Sequence, residues 1–375
     1  MSKNTITYSQ VGDNYDTKDP VKKLFQKAAS NTAKNLKKHG FEEISDSRGE
    51  SAYVWSPIRQ AQGKQDFMLA SVIEGLGTKN LIADAMYKTT GKTYYDVVAH
   101  DTVAAIINDL STVGAKPLVI HAYWAIEDNK WLSDQKRMKD LIMGWKNACD
   151  IAGASWGGGE TATMKQIVVK GVAEFGGSAV GIITTKKNLI TDKKLKERDR
   201  ILLLKSNGVN ANGISLARAI AKNLPKGYSE KLPNGKMYGE TLLTKTNIYA
   251  KLVQDLLKDN VDIHYISNIT GHGFRKIMRA RPNFTYVIEK MFNPHQVFLF
   301  IQKHANLNDY EMYQTYNMGM DYAIFLPEKE VTRTQKIITK HKFQSVNAGF
   351  IEKGERQVII KPKKLVYKGE TLDLR

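Results

Sequence analysis

S-W-G-G-G-E-T-A-T-M, residues 155–164, runs three consecutive glycines into a carboxylate and two threonines. Glycine reaches φ > 0 without steric cost, so such a run lets backbone N–H groups converge on an anion, while Glu160, Thr161 and Thr163 add oxygens for a metal or polar substrate. Outward from it, the apolar pattern alternates between helical and extended periods. Residues 139–152 read as a helix entering this Gly-rich turn, and 167–173 and 179–184 as strands leaving it. Upstream, 67–73 is a buried strand and 118–126 another. Between them Val103, Ile106, Ile107 and Leu110 recur at helical spacing, with Asp101 as N-cap and Gly114 and Pro117 as stops. The alternation predicts an α/β unit.

A charged, apolar-poor run at 186–198 is the boundary candidate, dividing 1–185 from 186–375. Beyond it, 201–204 reads as a strand, followed by a Gly/Asn turn and a helix from Ile214. Turn signals P-K-G and P-N-G make 224–239 a surface loop, and 242–257 reads as a helix. The first twenty residues and 46–63 lack periodicity and read as a mobile segment or a lid.

The 375 residues are 42% hydrophobic and 25% charged, the balance of a globular chain with a sizeable core. No apolar run approaches the roughly 18 residues of a membrane span, and the start lacks the apolar stretch of a signal peptide, so a cytoplasmic location is expected. The single cysteine, Cys149, excludes an internal disulfide and reads as a buried helical thiol. A net charge of +18 suits either a nucleic-acid binder or an enzyme that gathers phosphorylated substrates. The lysines are scattered, with no dense arm and no RNA-binding aromatic signature. Specific nucleic-acid binding is therefore not expected.

Three further segments share the character of 155–164. E-G-L-G-T-K at 74–79 follows a strand: Gly75 and Gly77 permit close backbone approach, Lys79 can meet a phosphate and Glu74 can hold Mg²⁺. Its spacing differs from G-x-x-x-x-G-K-[ST], which excludes a P-loop. Asn108 and Asp109 sit mid-helix, where short polar residues are disfavoured; a solvated face or magnesium coordination would account for them. S-N-G-V-N-A-N-G-I-S-L-A-R at 206–218 repeats strand, turn and helix, with Asn210 and Asn212 offering amides and Gly213 opening the helix. Finally, I-S-N-I-T-G-H-G-F-R-K-I-M-R at 266–279 brackets His272 with glycines.

In this order the segments resemble the phosphoribosylformylglycinamidine cyclo-ligase family, the aminoimidazole ribonucleotide synthetases, over nearly the whole chain. The family's D-G-V-G-T-K is similar to 74–79, and its H-D-T-x-G-x-D-L-V-A-M-x-x-N-D-L to 95–110, which puts Asp96, Asp101, Asn108 and Asp109 on family positions. G-G-E-T-A-E-M resembles 158–164, S-G-V-H-S-N-G-Y-S-L 207–216, L-L-x-P-T-x-I-Y 242–249, H-I-T-G-G-G 268–273 and T-F-N-x-G 315–319. Departures stand beside these matches: Glu74, Tyr95, Asn210, Ala211 and Asn268 replace Asp, His, His, Ser and His of the family.

The resemblance implies an α/β (α+β) two-domain fold, shared with selenophosphate synthetase and thiamine-monophosphate kinase, with a homodimer formed through the N-terminal sheet. It implies ATP-dependent closure of formylglycinamidine ribonucleotide to aminoimidazole ribonucleotide, with ADP and phosphate released. A sister enzyme with another acceptor, or a non-catalytic paralogue, is the alternative that the departures allow. Glu74, Asp101 and Asp109 are then expected on Mg²⁺, and Gly75, Gly77, Thr78, Lys79 and Asn108 on ATP. Gly157, Gly158, Gly159, Glu160, Thr161, Asn210, Asn212 and Gly213 are expected around a phosphorylated substrate, with Asp96 and His272 handling protons.

Overall fold

Residues 173–183 alternate buried and accessible positions along one strand, so the sheet they belong to is packed on one face and open on the other. The structure is a computed structural model that describes residues 28–58 and 67–372. The first sheet comprises β1 (Phe41–Glu43), β2 (Tyr53–Pro57), β3 (Met68–Gly75), β4 (Lys116–Ile126), β5 (Ser155–Thr163) and β6 (Ala173–Ile183), in the order β1-β2-β3-β6-β4-β5. Only β4 and β5 pair in parallel. Helix α2 (Tyr95–Ser111) lies on its packed face, flanked by α1 (Lys79–Thr90) and α3 (Gln135–Ala152). The open face presents Ile73, Leu118 and Tyr123 to solvent.

The second sheet comprises β7 (Arg200–Lys205), β8 (Tyr265–Asn268), β9 (Phe284–Ile288), β10 (Met320–Leu326), β11 (Ser345–Lys353), β12 (Gln357–Ile360) and β13 (Leu365–Lys368), ordered β13-β12-β9-β11-β7-β10-β8. Its central strands β7 and β10 are covered on both faces, which is why they read as unbroken apolar runs. Leu202, Leu204, Tyr322 and Ile324 pack under α5 (Ala250–Lys258) and α7 (Val331–Lys340). Ile201, Leu203, Ala323 and Phe325 join the main core, to which α4 (Ile214–Asn223) and α6 (Gln296–Ala305) also contribute.

Several expectations are corrected. Residues 155–163 are an edge strand rather than a turn, and the glycines serve a bulge: Gly157 and Gly158 together oppose His121. Residues 167–172 are not a strand, and Ile167 and Val169 are exposed. The strand instead begins at Ala173 and runs through Gly176 and Gly177, where a side chain on Gly177 would collide with the His121 carbonyl. Asp101 is no N-cap, because α2 begins at Tyr95 behind Tyr94 at φ 57°. The helix expected over 242–257 is broken: Tyr238–Leu242 is helical, 243–249 is irregular, and α5 follows. Of 46–63, Tyr53–Pro57 is strand β2 and 59–66 lie outside the described residues, as do the first twenty. The run 186–198 is anchored, with Ile190 and Leu195 buried and Asp192 gripped by Arg281 at 2.9 and 2.7 Å. Cys149 is the expected buried thiol, and burial pushes it up to about 12.

Candidate active site between the two sheets

Helix α2 is buried almost all round because the irregular segment 243–249 covers the side turned away from the first sheet. Backbone groups of that segment need partners, and α2 supplies them. Asp101 Oδ1 accepts from Thr246 N at 2.8 Å, and His100 Nε2 lies 2.8 Å from Thr246 O. Asn108 Nδ2 donates to Asn247 O at 2.7 Å, and its Oδ1 accepts from Tyr249 N at 2.9 Å. Both atoms of the Asn108 amide are thus engaged within the protein, clamping 243–249 to α2.

Lys79 and Asp101 form an ion pair whose side chains are wholly buried. Lys79 Nζ also donates to the carbonyls of Asn210 at 3.1 Å and Thr244 at 3.2 Å. Lys79, expected on a phosphate, here joins the first half to the turn 207–213, and Asp101, expected on a metal, is turned to Lys79. Among the described residues, no three His, Cys, Asp or Glu side chains converge to hold an ion.

Glu74 and Asp109 do come together. Glu74, the last residue but one of β3, remains accessible although protein surrounds it on most sides, and its pKa is pushed up to about 7 by desolvation and then by the Asp109 charge. Lys276 and Arg279, from the turn after β8, oppose that rise. Asp109 Oδ1 accepts from Asn268 Nδ2 at 2.7 Å, so the substituted family position holds one lobe of the carboxylate. Between Glu74 and Lys79 the chain turns at Gly77, φ 73°, and Thr78 Oγ1 is buried without a hydrogen-bond partner. Mg²⁺ commonly uses one or two carboxylates and completes its shell with water and substrate phosphate. Two facing carboxylates, crowded enough to repel one another, fit that donor set.

The remaining expected residues are spread out. Gly159 is in register with Ala122, Gly177 and Glu74, and Glu160 with Tyr123, Gly176 and Gly75. Glu74 and Glu160 therefore face opposite sides of the sheet, three strands or roughly 14 Å apart. The run Gly157 to Thr161 does not meet the Glu74–Asp109 recess within one chain. Asn210 (φ 62°) and Gly213 (φ 76°) shape the turn between β7 and α4, with partly exposed Asn212 between them, and Tyr316 packs where a Gly213 side chain would go. Asp96 pairs with Lys245 at 2.8 Å in the first turn of α2, roughly 20 Å along the helix from Asp109. His272 is buried at φ 69° in the turn beyond β8, near the other end.

A cavity of about 710 Å³ opens beside the seam, lined by Lys92, Tyr94, Asn207, Lys236, Thr244 and His295 among others. Sequence reading missed this recess and also Asp321, a fully buried carboxylate on β10. Its one signal was a charge inside the apolar run M-D-Y-A-I-F-L.

Residues 49–183 match the family described as AIR synthase related protein, N-terminal domain, and 196–361 match its C-terminal domain. The chain belongs to the AIR synthase related family. Within that family it is 32% identical over 278 residues to the phosphoribosylformylglycinamidine cyclo-ligase of Methanocaldococcus jannaschii, covering 74% of this chain and 76% of that protein. The cyclo-ligase of Caldicellulosiruptor saccharolyticus is 37% identical over 306 residues, covering 79% and 85%. In three dimensions it is similar to a chain of a HypE–HypF complex (TM-score 0.58, 14% identity, 85% of this chain and 92% of that one). It is also similar to AaThiL complexed with AMPPCP and TMP (TM-score 0.55, 12% identity, 86% and 91%). These likenesses bear out the two-part α/β fold that the motifs implied.

Proposed function

We propose that the chain is a phosphoribosylformylglycinamidine cyclo-ligase of purine biosynthesis, an ATP-dependent ligase that closes formylglycinamidine ribonucleotide to aminoimidazole ribonucleotide with release of ADP and phosphate. The names of its relatives support the reaction. The observation that carries the site is the meeting of Glu74 with Asp109 in an accessible recess between the sheets. Glu74 and Asp109 would hold Mg²⁺, which offsets triphosphate charge when bound. Lys276 and Arg279 supply further positive charge on the opposite wall, and the Glu74–Lys79 turn, with the unpartnered Thr78 hydroxyl, is the nearest loop for phosphate oxygens.

An amide oxygen is a poor leaving group. Transfer of the terminal phosphoryl group of ATP to the formyl oxygen makes it one, and an internal nitrogen of the amidine then attacks the same carbon and expels phosphate. The protein's task is to hold that nitrogen over the carbon, which makes ring closure unimolecular. The cavity beside the seam has the size and the lysines, Lys92 and Lys236, for the ribose phosphate of the acceptor. The turn 207–213 lies between this cavity and the recess: Asn207 lines the cavity, and Asn210 bonds Asp321, whose backbone holds Ile269 beside Asn268. His272 is the nearer candidate for proton handling, whereas Asp96 lies at the far end of α2.

The division near residue 186 is retained, with the first half bearing the metal carboxylates and the second half the acceptor turn. A homodimer through the open face of the first sheet is also part of this reading, because Ile73, Leu118 and Tyr123 are exposed there and a two-fold partner would cover them. No helix among the described residues is long and apolar enough to cross a membrane, in keeping with the cytoplasm. The test is to incubate the chain with ATP, Mg²⁺ and formylglycinamidine ribonucleotide and to measure aminoimidazole ribonucleotide and ADP. Equal yields of both support the reaction, and a folded protein yielding neither overturns it.

A further inference from the structure

The cavity beside the seam is walled by cations and neutral groups, and among the described residues on its lining Glu240 is the one acid. Glu240 sits in the first turn of the short helix Tyr238–Leu242, and its Oε2 accepts from Met237 N at 3.4 Å. Its Oε1 accepts at 3.3 Å from the hydroxyl of Tyr94, which belongs to the other half of the molecule. Tyr94 is 6% exposed and holds φ 57°, a left-handed conformation that a bulky side chain adopts only where its surroundings impose it. This strained residue lines the same cavity, with Lys92 Nζ 4.7 Å from its ring centre. Glu240 thus has a neutral donor and no ion-pair partner among the described residues, although Lys92 and Lys236 share its cavity. A carboxylate offers about four lone-pair sites, and the two bonds made here are long. The others are free for a ligand's donors.

We propose that Glu240 is a specificity residue that accepts the ribose hydroxyls of the acceptor, and that Tyr94 is a positioning residue that orients its carboxylate. The inference rests on the reading of this cavity as the acceptor site. A carboxylate repels a phosphate, so Glu240 must serve another part of the ligand than the lysines do. The amidine end has to reach the Glu74–Asp109 recess, which leaves the sugar hydroxyls as the donors that share the cavity with the phosphate. Two adjacent hydroxyls can donate to one carboxylate in short, charge-assisted bonds, the chemistry by which an acidic side chain holds a ribose in dinucleotide sites. A sugar lacking one hydroxyl forfeits one of these bonds.

The experiment compares wild type, Glu240→Gln and Tyr94→Phe in two ways. Calorimetry gives the binding of ribose 5-phosphate and 2-deoxyribose 5-phosphate, and kinetics give kcat/KM for formylglycinamidine ribonucleotide and its 2′-deoxy analogue. Wild type should prefer the ribose form at least tenfold in both. Glu240→Gln keeps an oxygen for Met237 N but loses the charge, and its preference should fall below threefold, through the KM of the ribose form, with the KM for ATP unchanged. Tyr94→Phe should lower the preference in part, and an undiminished preference there would remove Tyr94 from the proposal. A merely helix-capping role for Glu240 would lower the melting temperature and weaken both sugars by the same factor. That result, an unchanged preference in Glu240→Gln, or a wild type that binds neither sugar phosphate or both alike, would overturn the proposal. If wild type preferred ribose 5-phosphate but closed no ring, the cyclo-ligase reading would fail while the role of Glu240 stood.

Discussion

Lys79 and Asp101 form a wholly buried ion pair at the seam between the two halves, with Lys79 capping the carbonyls of Asn210 and Thr244 and Asp101 receiving Thr246 N. Removing either partner strands a buried charge, which costs about 3–5 kcal/mol. Lys79→Met and Asp101→Leu are therefore expected to shift urea unfolding midpoints strongly. If either variant lost activity at wild-type stability, the residue would belong to the ligand site instead.

The Asn108 clamp is expected to behave similarly on a smaller scale. Asn108→Leu leaves Asn247 O and Tyr249 N unpaired, at about 1–3 kcal/mol each. Loss of stability with an unchanged KM for ATP is the expected result by denaturant titration and steady-state kinetics. A raised KM for ATP at full stability would return Asn108 to the nucleotide.

Glu74 and Asp109 should show the opposite pattern. Glu74→Gln and Asp109→Asn are each expected to slow turnover at least tenfold, about 1.4 kcal/mol in the barrier, and to raise the Mg²⁺ concentration for half-maximal rate. Melting temperatures should hold or rise, because each change relieves carboxylate repulsion. Full activity in either variant would remove that residue from the metal.

Which of these roles could be read in advance depended on how local the cause was. The central strands and helices were legible because periodicity and burial on both faces are local properties. The seam was not: 243–249 reads as part of a helix over 242–257, and only the tertiary pairing of Thr246, Asn247 and Tyr249 with α2 accounts for its irregular path. The glycines at 157–159 were conspicuous, yet their reason is a bulge facing His121, a relation with a strand more than thirty residues away. That Glu74 and Asp109 lie together was suggested by the family motifs alone. Asp101 and Lys79, in the same motifs, were not separable from them by sequence, since nothing local reveals that the two neutralise each other.

Stability should carry the signature of Asp321. Its folded pKa, about 6, exceeds the ordinary 3.8, so the native state binds more protons between those values and stability falls as pH rises through that window. The groups facing it, Tyr249, Asn210 and Tyr322, are uncharged there. Thermal unfolding of Asp321→Asn from pH 4 to 7 should show a shallower decline than wild type, and parallel curves would contradict the assignment.

The account's central claim is tested most directly by following ADP and aminoimidazole ribonucleotide together in one reaction of the full chain with ATP, Mg²⁺ and formylglycinamidine ribonucleotide. The account predicts one ADP for each ring closed, with both rates falling together in Asp109→Asn. ADP release without ring closure, or neither product from folded protein, would contradict it.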